Sequence, residues 1–428
     1  MTRLAWTVLT FLLLLAPPLA WPETAVPASP RNALVTTFKA AFAQGDWTTA
    51  ARTAREILAL DEQSRGPADP ALVPVLLNVA SAESELGNTT EAQRYIARAT
   101  ALLGAQPDPV QGFSRDLLLA KTYLQSGRFA DAQRQCAQAL KAVDGNPAVS
   151  IQQKSQAYLL MLAVARGTND FRLGNDVAGD LLKAEQQALG REAPARVAGL
   201  YDAASWYRSS SQLVKERELL AGAVALLEKA YGPNDPRLAY PLWTTGMSYL
   251  VAHSSPEKSL AALERAIALP SAATPGDVVE RAQILASRGD HSVVFGHLAA
   301  SGADYAAAWK MIALDPRLGT AVANEIFARP LPLYVNIPVE AFSGVKGGTH
   351  NSRGEITFAF TVTEQGLVDG LRIKDQELDS NSLPTPTVQA FREARYRPRV
   401  VDGKPLATAD QEFRFSVGID RRSGSFTR

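Results

Sequence analysis

Small and apolar residues recur at helical spacing through most of the chain, from about Arg31 to Arg329. Gly, Pro, Asn and Asp interrupt this pattern and separate the predicted helices. One position in each copy defines a register with successive steps of 42, 40, 42, 42 and 43 residues. The register positions are Trp47, Thr89, Phe129, Phe171, Leu213 and Pro256. A steady period of this length predicts an all-α array of stacked helical repeats over residues 31–329.

The register also predicts which side chains pack between helices. Positions three, seven and ten after each register position lie on one helix face, and they are almost all small or apolar. We define this set as the inward stripe. It consists of Ala50, Ala54, Ile57, Ala92, Ile96, Ala99, Ala132, Cys136, Ala139, Gly174, Ala178, Leu181, Glu216, Leu220, Ala223, Ser259, Leu263 and Ala266. Glu216 is the one charged residue of the stripe. We expect Cys136 to be a buried small hydrophobic residue rather than a reactive thiol.

One of the predicted repeats resembles a known repeat family. The segment LLLAKTYLQSGRFADAQRQCAQAL, residues 117–140, resembles the tetratricopeptide repeat. The matching positions are Leu119, Ala120, Tyr123, Gly127, Phe129, Ala132 and Ala139. The period is about eight residues longer than the usual 34, which implies longer helices and turns, as in the kinesin-light-chain-like subgroup. After Leu269 two interpretations stay open: His291 opens one more repeat, or the segment is a capping helix bundle.

Near Pro330 a two-residue alternation replaces the helical spacing. Ile356, Phe358, Phe360 and Val362 alternate with Thr and Ala, which predicts a half-buried strand. The predicted strands are residues 356–362, 367–373, 396–401 and 412–417, with a turn at Asp402-Gly403. A short helix with Val388, Phe391 and Ala394 on one face lies between the second and third strands. This β-β-α-β(-β) order predicts a small α+β domain over residues 331–420, followed by a polar tail, residues 421–428.

The segment YRPRVVDGKPL, residues 396–406, together with the strands before it, resembles the TonB C-terminal domain. Tyr396 and Pro398 match the aromatic–x–Pro step of that family, and Gly403 and Pro405 match its G-x-P turn. The chain departs from the family at Leu383-Pro384, where Leu-Asp is common. The resemblance implies a domain that pairs a peptide segment with an exposed sheet edge.

The first residues predict export. An apolar run from Leu4 to Ala16 follows Arg3 and is broken by Pro17-Pro18. Thirteen helical residues span about 20 Å, whereas the hydrocarbon of a bilayer is about 30 Å thick. We therefore predict a signal peptide over residues 1–28 and a periplasmic protein of a Gram-negative bacterium, with an uncleaved inner-membrane anchor as the alternative.

Composition and motifs favour a binding protein over an enzyme. Lys and Arg number 44 and Asp and Glu 43, so the net charge of +1 provides no attraction to nucleic acid. The chain has one cysteine and four histidines, and H-E-x-x-H, G-x-S-x-G and Walker A motifs are missing. We expect no catalytic, cofactor or metal site, while a hydrolase with an unrecognised site is the least favoured reading.

The predicted partner-binding residues lie in the predicted C-terminal domain: Arg392, Arg395, Arg397, Arg399, Lys404, Arg414 and Ser416. Arg397 and Arg399 alternate on the predicted third strand and would share a face. The first five residues form the densest basic cluster. It is either a solvated face paired with Glu393 and Asp402, or a site for an anion or a peptide carboxylate, with cell-wall material as a further ligand. Arg414 and Ser416 lie on the last strand, which we expect to form the sheet edge.

The leading hypothesis is a periplasmic scaffold or adaptor. Its repeats would bind one protein of the cell envelope, and the terminal domain would bind another protein or peptide segment by strand pairing. The alternative is a membrane-anchored energy transducer of the TonB type for outer-membrane transport. The apolar run contains no histidine and the chain has no long proline-rich spacer, both of which disfavour that alternative.

The signal peptide generates the first testable prediction. We expect the mature protein to begin between about Trp21 and Arg31 and to fractionate with soluble periplasmic material. N-terminal sequencing of protein recovered from osmotic-shock and membrane fractions measures both properties. An intact N-terminus on protein that needs detergent for extraction would favour the anchored transducer instead.

Overall fold

The computed structural model describes residues 30–105, 107–270, 274–335, 353–377 and 385–418. The predicted signal peptide, the predicted tail and Leu383-Pro384 lie outside these ranges. The chain forms two compact units, one ending at Gln212 and the other beginning at Leu213. Among the described residues, no helix combines the length and the apolar character needed to cross a bilayer. The predicted domain boundaries at residues 329 and 331 stay predictions.

The first unit consists of helices joined by short turns. They are α1 (Pro30–Gln44), α2 (Trp47–Arg65), α3 (Val73–Glu85), α4 (Thr89–Leu103), α5 (Pro109–Gln125), α6 (Phe129–Ala142), α7 (Ile151–Thr168), α8 (Phe171–Leu189) and α9 (Val197–Ser209). Single 3-10 turns at Pro70–Leu72 and Pro194–Arg196 precede α3 and α9. Proline at these helix starts costs little, because the first amides of a helix have no partner within it.

The register positions are the first residues of the second helices of successive hairpins. Trp47, Thr89, Phe129 and Phe171 begin α2, α4, α6 and α8. Local signals set these starts: Asp46 accepts a hydrogen bond from the Thr49 amide at 3.0 Å, as a helix N-cap does. The glycine before Asp46 has a φ of 71°, a conformation that glycine adopts without strain. The predicted helical repeats of about 42 residues are therefore confirmed.

The inward stripe is buried as predicted. In both units every stripe residue is buried, and those other than Gly174 are at most 2% exposed, including Cys136. Burial raises the pKa of the Cys136 thiol to about 12. Gly174 makes room for Trp206, because a Cβ at this glycine would lie 1.9 Å from the indole ring. Glu216 is tolerated because it accepts a hydrogen bond of 2.8 Å from the Ser248 hydroxyl. The one charged residue of the stripe thus has a hydrogen-bond partner.

The second unit continues the hairpins with α10 (Leu213–Tyr231), α11 (Ala239–Val251), α12 (Pro256–Ala268), α13 (Pro275–Val294), α14 (Leu298–Ala313) and α15 (Gly319–Ile326), with a 3-10 turn at Pro236–Leu238. Leu298 begins α14, 42 residues after Pro256, so the array contains one more repeat, as one of the two interpretations of the sequence had it. His291 lies inside α13 and does not open a repeat. Its Nε2 lies 2.9 Å from the Pro256 carbonyl oxygen, which makes it a packing residue.

Strands follow the last helix of the array. They are β1 (Leu331–Tyr334), β2 (Arg353–Val362), β3 (Val368–Glu377), then helix α16 (Thr385–Arg392), and β4 (Arg395–Arg397), β5 (Arg399–Val401), β6 (Lys404–Leu406) and β7 (Thr408–Gly418). An antiparallel sheet of order β3-β2-β7 is covered on one face by α16. The ring of Phe391 on α16 packs against Phe358, with centroids 4.3 Å apart. The predicted small sheet with one covering helix is therefore present.

The predicted third strand, residues 396–401, does not exist as one strand. Pro398 divides it into β4, which pairs with β1, and β5, which pairs with β6. Proline has no amide to donate, so a continuous ladder cannot pass through this position. The β5–β6 hairpin turns at Asp402-Gly403, as predicted, and both residues have positive φ, as a two-residue type I′ turn requires.

The buried stripe generates a stability prediction. Ala132→Asp or Ala139→Asp should lower the free energy of unfolding by about 3 kcal/mol or more, because a carboxylate would be buried without a partner in a space that fits a methyl group. Urea denaturation followed by circular dichroism measures this change. Gln138→Asp, at an exposed position of the same helix, is the matched control and should change stability little. Equal stability of all three variants would contradict the assigned packing.

Candidate functional site

The strand β7 forms one edge of the three-stranded sheet. Among the described strands it pairs with β2 alone, in a register that places Phe413 opposite Phe358 and Arg414 opposite Thr357. The register shifts near Asp410, whose φ is 52°. Beyond this bulge, residues 411–418 pair regularly. The outer side of that segment is a template to which another strand can add.

The opposite edge, β3, is less regular. Its register with β2 shifts twice, between Thr357 and Phe358 and between Ala359 and Thr361. Gly370 in the same strand has a φ of 60°. Bulges twist an edge and interrupt its row of amides and carbonyls, which hinders the addition of a further strand. Of the two edges, β7 is therefore the better template.

The two faces of β7 differ chemically. Phe413 points towards α16, where its ring centroid lies 5.1 Å from that of Phe391. Glu412 and Arg414 are exposed, and Glu412 forms an ion pair with Lys374 of β3. Ala359 of the central strand β2 lies opposite Glu412 and is only 2% exposed. The ion pair passes over its small side chain. A strand added at this edge would meet an aromatic side chain on one face and alternating charges on the other.

Arg397 is not part of a solvent-facing cluster. Arg397 Nε donates to Asp290 Oδ1 at 2.8 Å, and Arg397 Nη2 donates to Asp290 Oδ2 at 2.5 Å. The Asp290 side chain is fully buried. The Tyr305 hydroxyl also donates to Asp290 Oδ1, at 2.9 Å. Burial by itself would lower the pKa of Arg397, but Asp290 outweighs that effect and raises it. Arg397 thus joins β4 to helices α13 and α14 within the second unit.

The neighbouring β5–β6 hairpin also packs on the helices. The Val400 amide donates to the Phe327 carbonyl oxygen at 3.1 Å, and Val400 is fully buried. Asn324 Oδ1 accepts from Trp309 Nε1 at 2.8 Å and from the Asp402 amide at 3.4 Å. The segment YRPRVVDGKPL therefore contacts the last helices.

The remaining predicted site residues are dispersed. Arg395 is half-buried and donates to the Glu393 carbonyl oxygen at 2.7 Å, so its partner is backbone rather than the expected carboxylate. Arg399 is half-buried, and Arg392 and Lys404 are exposed. The side chain of Ser416 lies outside the described part of the structure. Arg397 and Arg399 lie on two different strands, so the continuous strand from which a shared face was predicted is absent, and Arg397 is turned to Asp290.

Sequence reasoning missed Asp290 and Tyr305. Tyr305 occupies the stripe position seven residues after Leu298, and a Cβ at Gly289 would lie 2.6 Å from its ring. The sequence contains one signal for this site: Gly289 and Asp290 are adjacent in a segment that otherwise follows the regular helical pattern. The extended register would have identified Tyr305, but nothing in the sequence pairs Asp290 with an arginine 107 residues away.

A pair of buried carboxylates in the first unit also escaped prediction. Glu185 of α8 and Asp202 of α9 are both buried. The Ser155 hydroxyl donates to Glu185 Oε1 at 3.2 Å, whereas Oε2 has no hydrogen-bond partner. Burial, with a contribution from Glu185, raises the pKa of Asp202 to about 7. The described residues contain no group of three or more potential metal ligands.

No family profile and no curated protein matches the chain. Solved structures with tetratricopeptide-type repeats do match. A Podosopora anserina protein with nearly identical kinesin-light-chain TPR-like repeats has 15% identity and a TM-score of 0.39, covering 47% of this chain and 98% of that one. A signal-transduction ATPase with a tetratricopeptide-repeat sensor, from Pyrococcus horikoshii, has 14% identity and a TM-score of 0.43, covering 62% and 41%.

A tetratricopeptide repeat protein from Parabacteroides merdae has 14% identity and a TM-score of 0.38, covering 68% of this chain and 98% of that one. Because these scores lie below 0.5, we draw nothing about function from the three similarities. The assignment of helical repeats rests on the hairpins and the buried stripe of this chain.

The ion pair between Arg397 and Asp290 generates a prediction about stability. Arg397→Ala should lower the free energy of unfolding of the second unit by about 3–5 kcal/mol, because it leaves a buried carboxylate unpaired. Urea denaturation of the full chain measures the loss, and Lys404→Ala, at an exposed basic position, is the control. Asp290→Asn in the Arg397→Ala background should recover part of the stability. Equal stability of the Arg397 and Lys404 variants would show that the ion pair does not hold this region.

Proposed function

We propose that the protein is an exported scaffold of the Gram-negative cell envelope that holds two partners. The helical repeats bind one protein, and the C-terminal region binds another protein or peptide segment as an added strand at β7. The observation that carries the proposal is the regular outer side of β7 over residues 411–418, which among the described strands is paired on one side only. Helical-repeat arrays supply extended surfaces of the kind that a scaffold needs.

The TonB-like identity of the C-terminal region belongs to this proposal. In its support, the chain has two antiparallel strands, a covering helix and a last strand that returns beside the first of the two. The YRPRVVDGKPL segment contributes separate short strands instead of a third strand of that sheet. We propose that this segment positions the sheet on the array while β7 performs the binding.

Strand addition at β7 needs help from side chains. Four or five new backbone hydrogen bonds contribute about 1 kcal/mol each, whereas association costs at least about 4 kcal/mol. The added strand therefore gains useful affinity from charges opposite Glu412 and Arg414 and from an apolar side chain beside Phe413. Arg392 and Lys404 are exposed and can contribute to an anionic partner. Arg397 cannot, because Asp290 occupies its guanidinium.

The proposal predicts that a proline in β7 abolishes partner binding. A display library of extended peptides, selected on the full chain, supplies ligands whose affinity is measured by fluorescence polarisation. Arg414→Pro and Ser416→Pro should each remove detectable binding if the amides of these residues face outward, because proline cannot donate to an added strand. If the amides instead face β2, the same variants will lower the melting temperature, which circular dichroism reports.

Two controls make the result specific. Arg414→Ala removes the side chain but keeps the amide, so it should weaken binding less than Arg414→Pro does. Lys374→Pro places the same change on the opposite edge, β3, and should leave binding intact where the fold survives. Full affinity of both β7 proline variants, at unchanged melting temperature, means that the partner docks elsewhere and removes the strand-addition mechanism.

A further inference from the structure

The exposed edge of β7 is complementary to itself. Reading along the strand, an acidic residue, an aromatic residue and a basic residue follow one another at Glu412, Phe413 and Arg414. In an antiparallel pair, residues directly opposite each other lie on the same face of the sheet. The ideal antiparallel neighbour of this edge therefore carries an acid opposite Arg414 and a base opposite Glu412. Read in its own direction, that neighbour is acid–x–base, which is the order found in β7.

The charges select one register for a symmetric pair. A two-fold axis normal to the sheet and centred on Phe413 places each Glu412 opposite the Arg414 of the other copy, and Phe413 opposite its counterpart. Moving the centre to Glu412 places two carboxylates opposite each other, and moving it to Arg414 places two guanidinium groups together. Like charges directly opposite each other destabilise a pair of strands, whereas opposite charges stabilise it. Phe413 is also the midpoint of β7, Thr408–Gly418.

The side chains concerned are placed for this contact. Glu412 and Arg414 are exposed on the face opposite α16, while Phe413 is half-buried against Phe391. The ion pair of Glu412 with Lys374 engages Glu412 from the β3 side of the sheet. A carboxylate has two oxygens and accepts several donors, so an arginine can join from the other side. The bulge at Asp410 limits regular symmetric pairing to residues 411–415.

We propose that β7 is a self-association surface whose occupant is the β7 strand of a second copy, paired antiparallel about Phe413. The resulting sheet has six main strands, with both α16 helices on one face. Five regularly paired residues make a small contact, so the dimer is weak and forms in a concentration-dependent way. This inference goes beyond the proposed function and does not need it. Where both hold, self-association and peptide binding compete for one edge.

Charge exchange tests the register. Sedimentation equilibrium of the full chain, over about 10 µM to 1 mM, measures the dimer dissociation constant. Glu412→Arg and Arg414→Glu should each raise that constant about tenfold or more, because each single change places like charges opposite each other twice. The double variant E412R/R414E restores both opposite pairs and should return to near the wild-type value. Lys374→Gln removes the ion pair within the chain but leaves the edge intact, so it should dimerise like wild type.

Cysteine cross-linking tests the same register without relying on affinity. A mixture of Glu412→Cys chains and Arg414→Cys chains should form an intermolecular disulfide under mild oxidation faster than either chain alone, because only the mixture places two thiols opposite each other. Cys136 is buried and does not interfere. Circular dichroism verifies that each variant is folded.

A wild-type chain that stays monomeric throughout the concentration range overturns the proposal. So does a double variant that remains as weak as the singles, or cross-linking that is no faster in the mixture. Loss of peptide binding leaves these results unchanged, so failure of the proposed function and failure of self-association are distinguishable. Conversely, a monomeric protein that still binds peptides at β7 contradicts only the dimer.

Discussion

The buried carboxylate of Asp290 dictates how the C-terminal region of the second unit is built. A charged group without water or a partner costs several kcal/mol, and here the cost is offset by the two hydrogen bonds from Arg397 and one from Tyr305. Arg397 can reach Asp290 only if β4 lies against α13, and β1 pairs with β4 there. Two residues after Pro398, the amide of Val400 donates to the Phe327 carbonyl oxygen. The ion pair and this hydrogen bond together hold three short strands against the helices.

The strands that pack against the helices are not the strand that offers an open edge to a partner. The strands that accompany Arg397 are β1, β4, β5 and β6: β1 pairs with β4, and β5 pairs with β6. Beyond these pairs, Arg395 of β4 forms a single antiparallel bridge with Leu367, just before β3. The sheet of β3, β2 and β7 is joined to them through the turn before β3, where the Tyr396 amide donates to the Gly366 carbonyl oxygen at 2.9 Å, and its β7 edge is unpaired among the described strands. Since β3 is bulged, the regular edge of β7 is the one open to a further strand. The protein therefore holds its sheet firmly without using the surface that would bind a partner.

The parts of the fold that could be predicted depend on local or periodic signals. The 42-residue register, the buried stripe and the Asp402-Gly403 turn each follow from neighbours in sequence. What failed depends on distant contacts. The seventh repeat, one of two interpretations of the sequence, was not placed at Leu298, because its stripe carries Ser301 and the large Tyr305, whose ring fits against residue 289 because that residue is glycine. Arg397 was assigned to a solvated or ligand-binding face because its partner lies 107 residues earlier. Charge spacing along a strand predicts the face a residue shares, but only when the strand is continuous, and Pro398 ends it.

A free strand edge is a liability unless something covers it or limits its pairing. In β7 the bulge at Asp410 shortens the regular segment, and the charges at Glu412 and Arg414 disfavour neighbours of the wrong sign. The same two charges that reject most strands accept an acid–x–base sequence, and β7 contains one. Self-pairing would thus cover the edge in the absence of a partner, at an affinity low enough for a better-matched strand to displace it. A partner that binds β7 must then compete with a second copy as well as with water, so its apparent affinity should fall as the concentration of the protein rises.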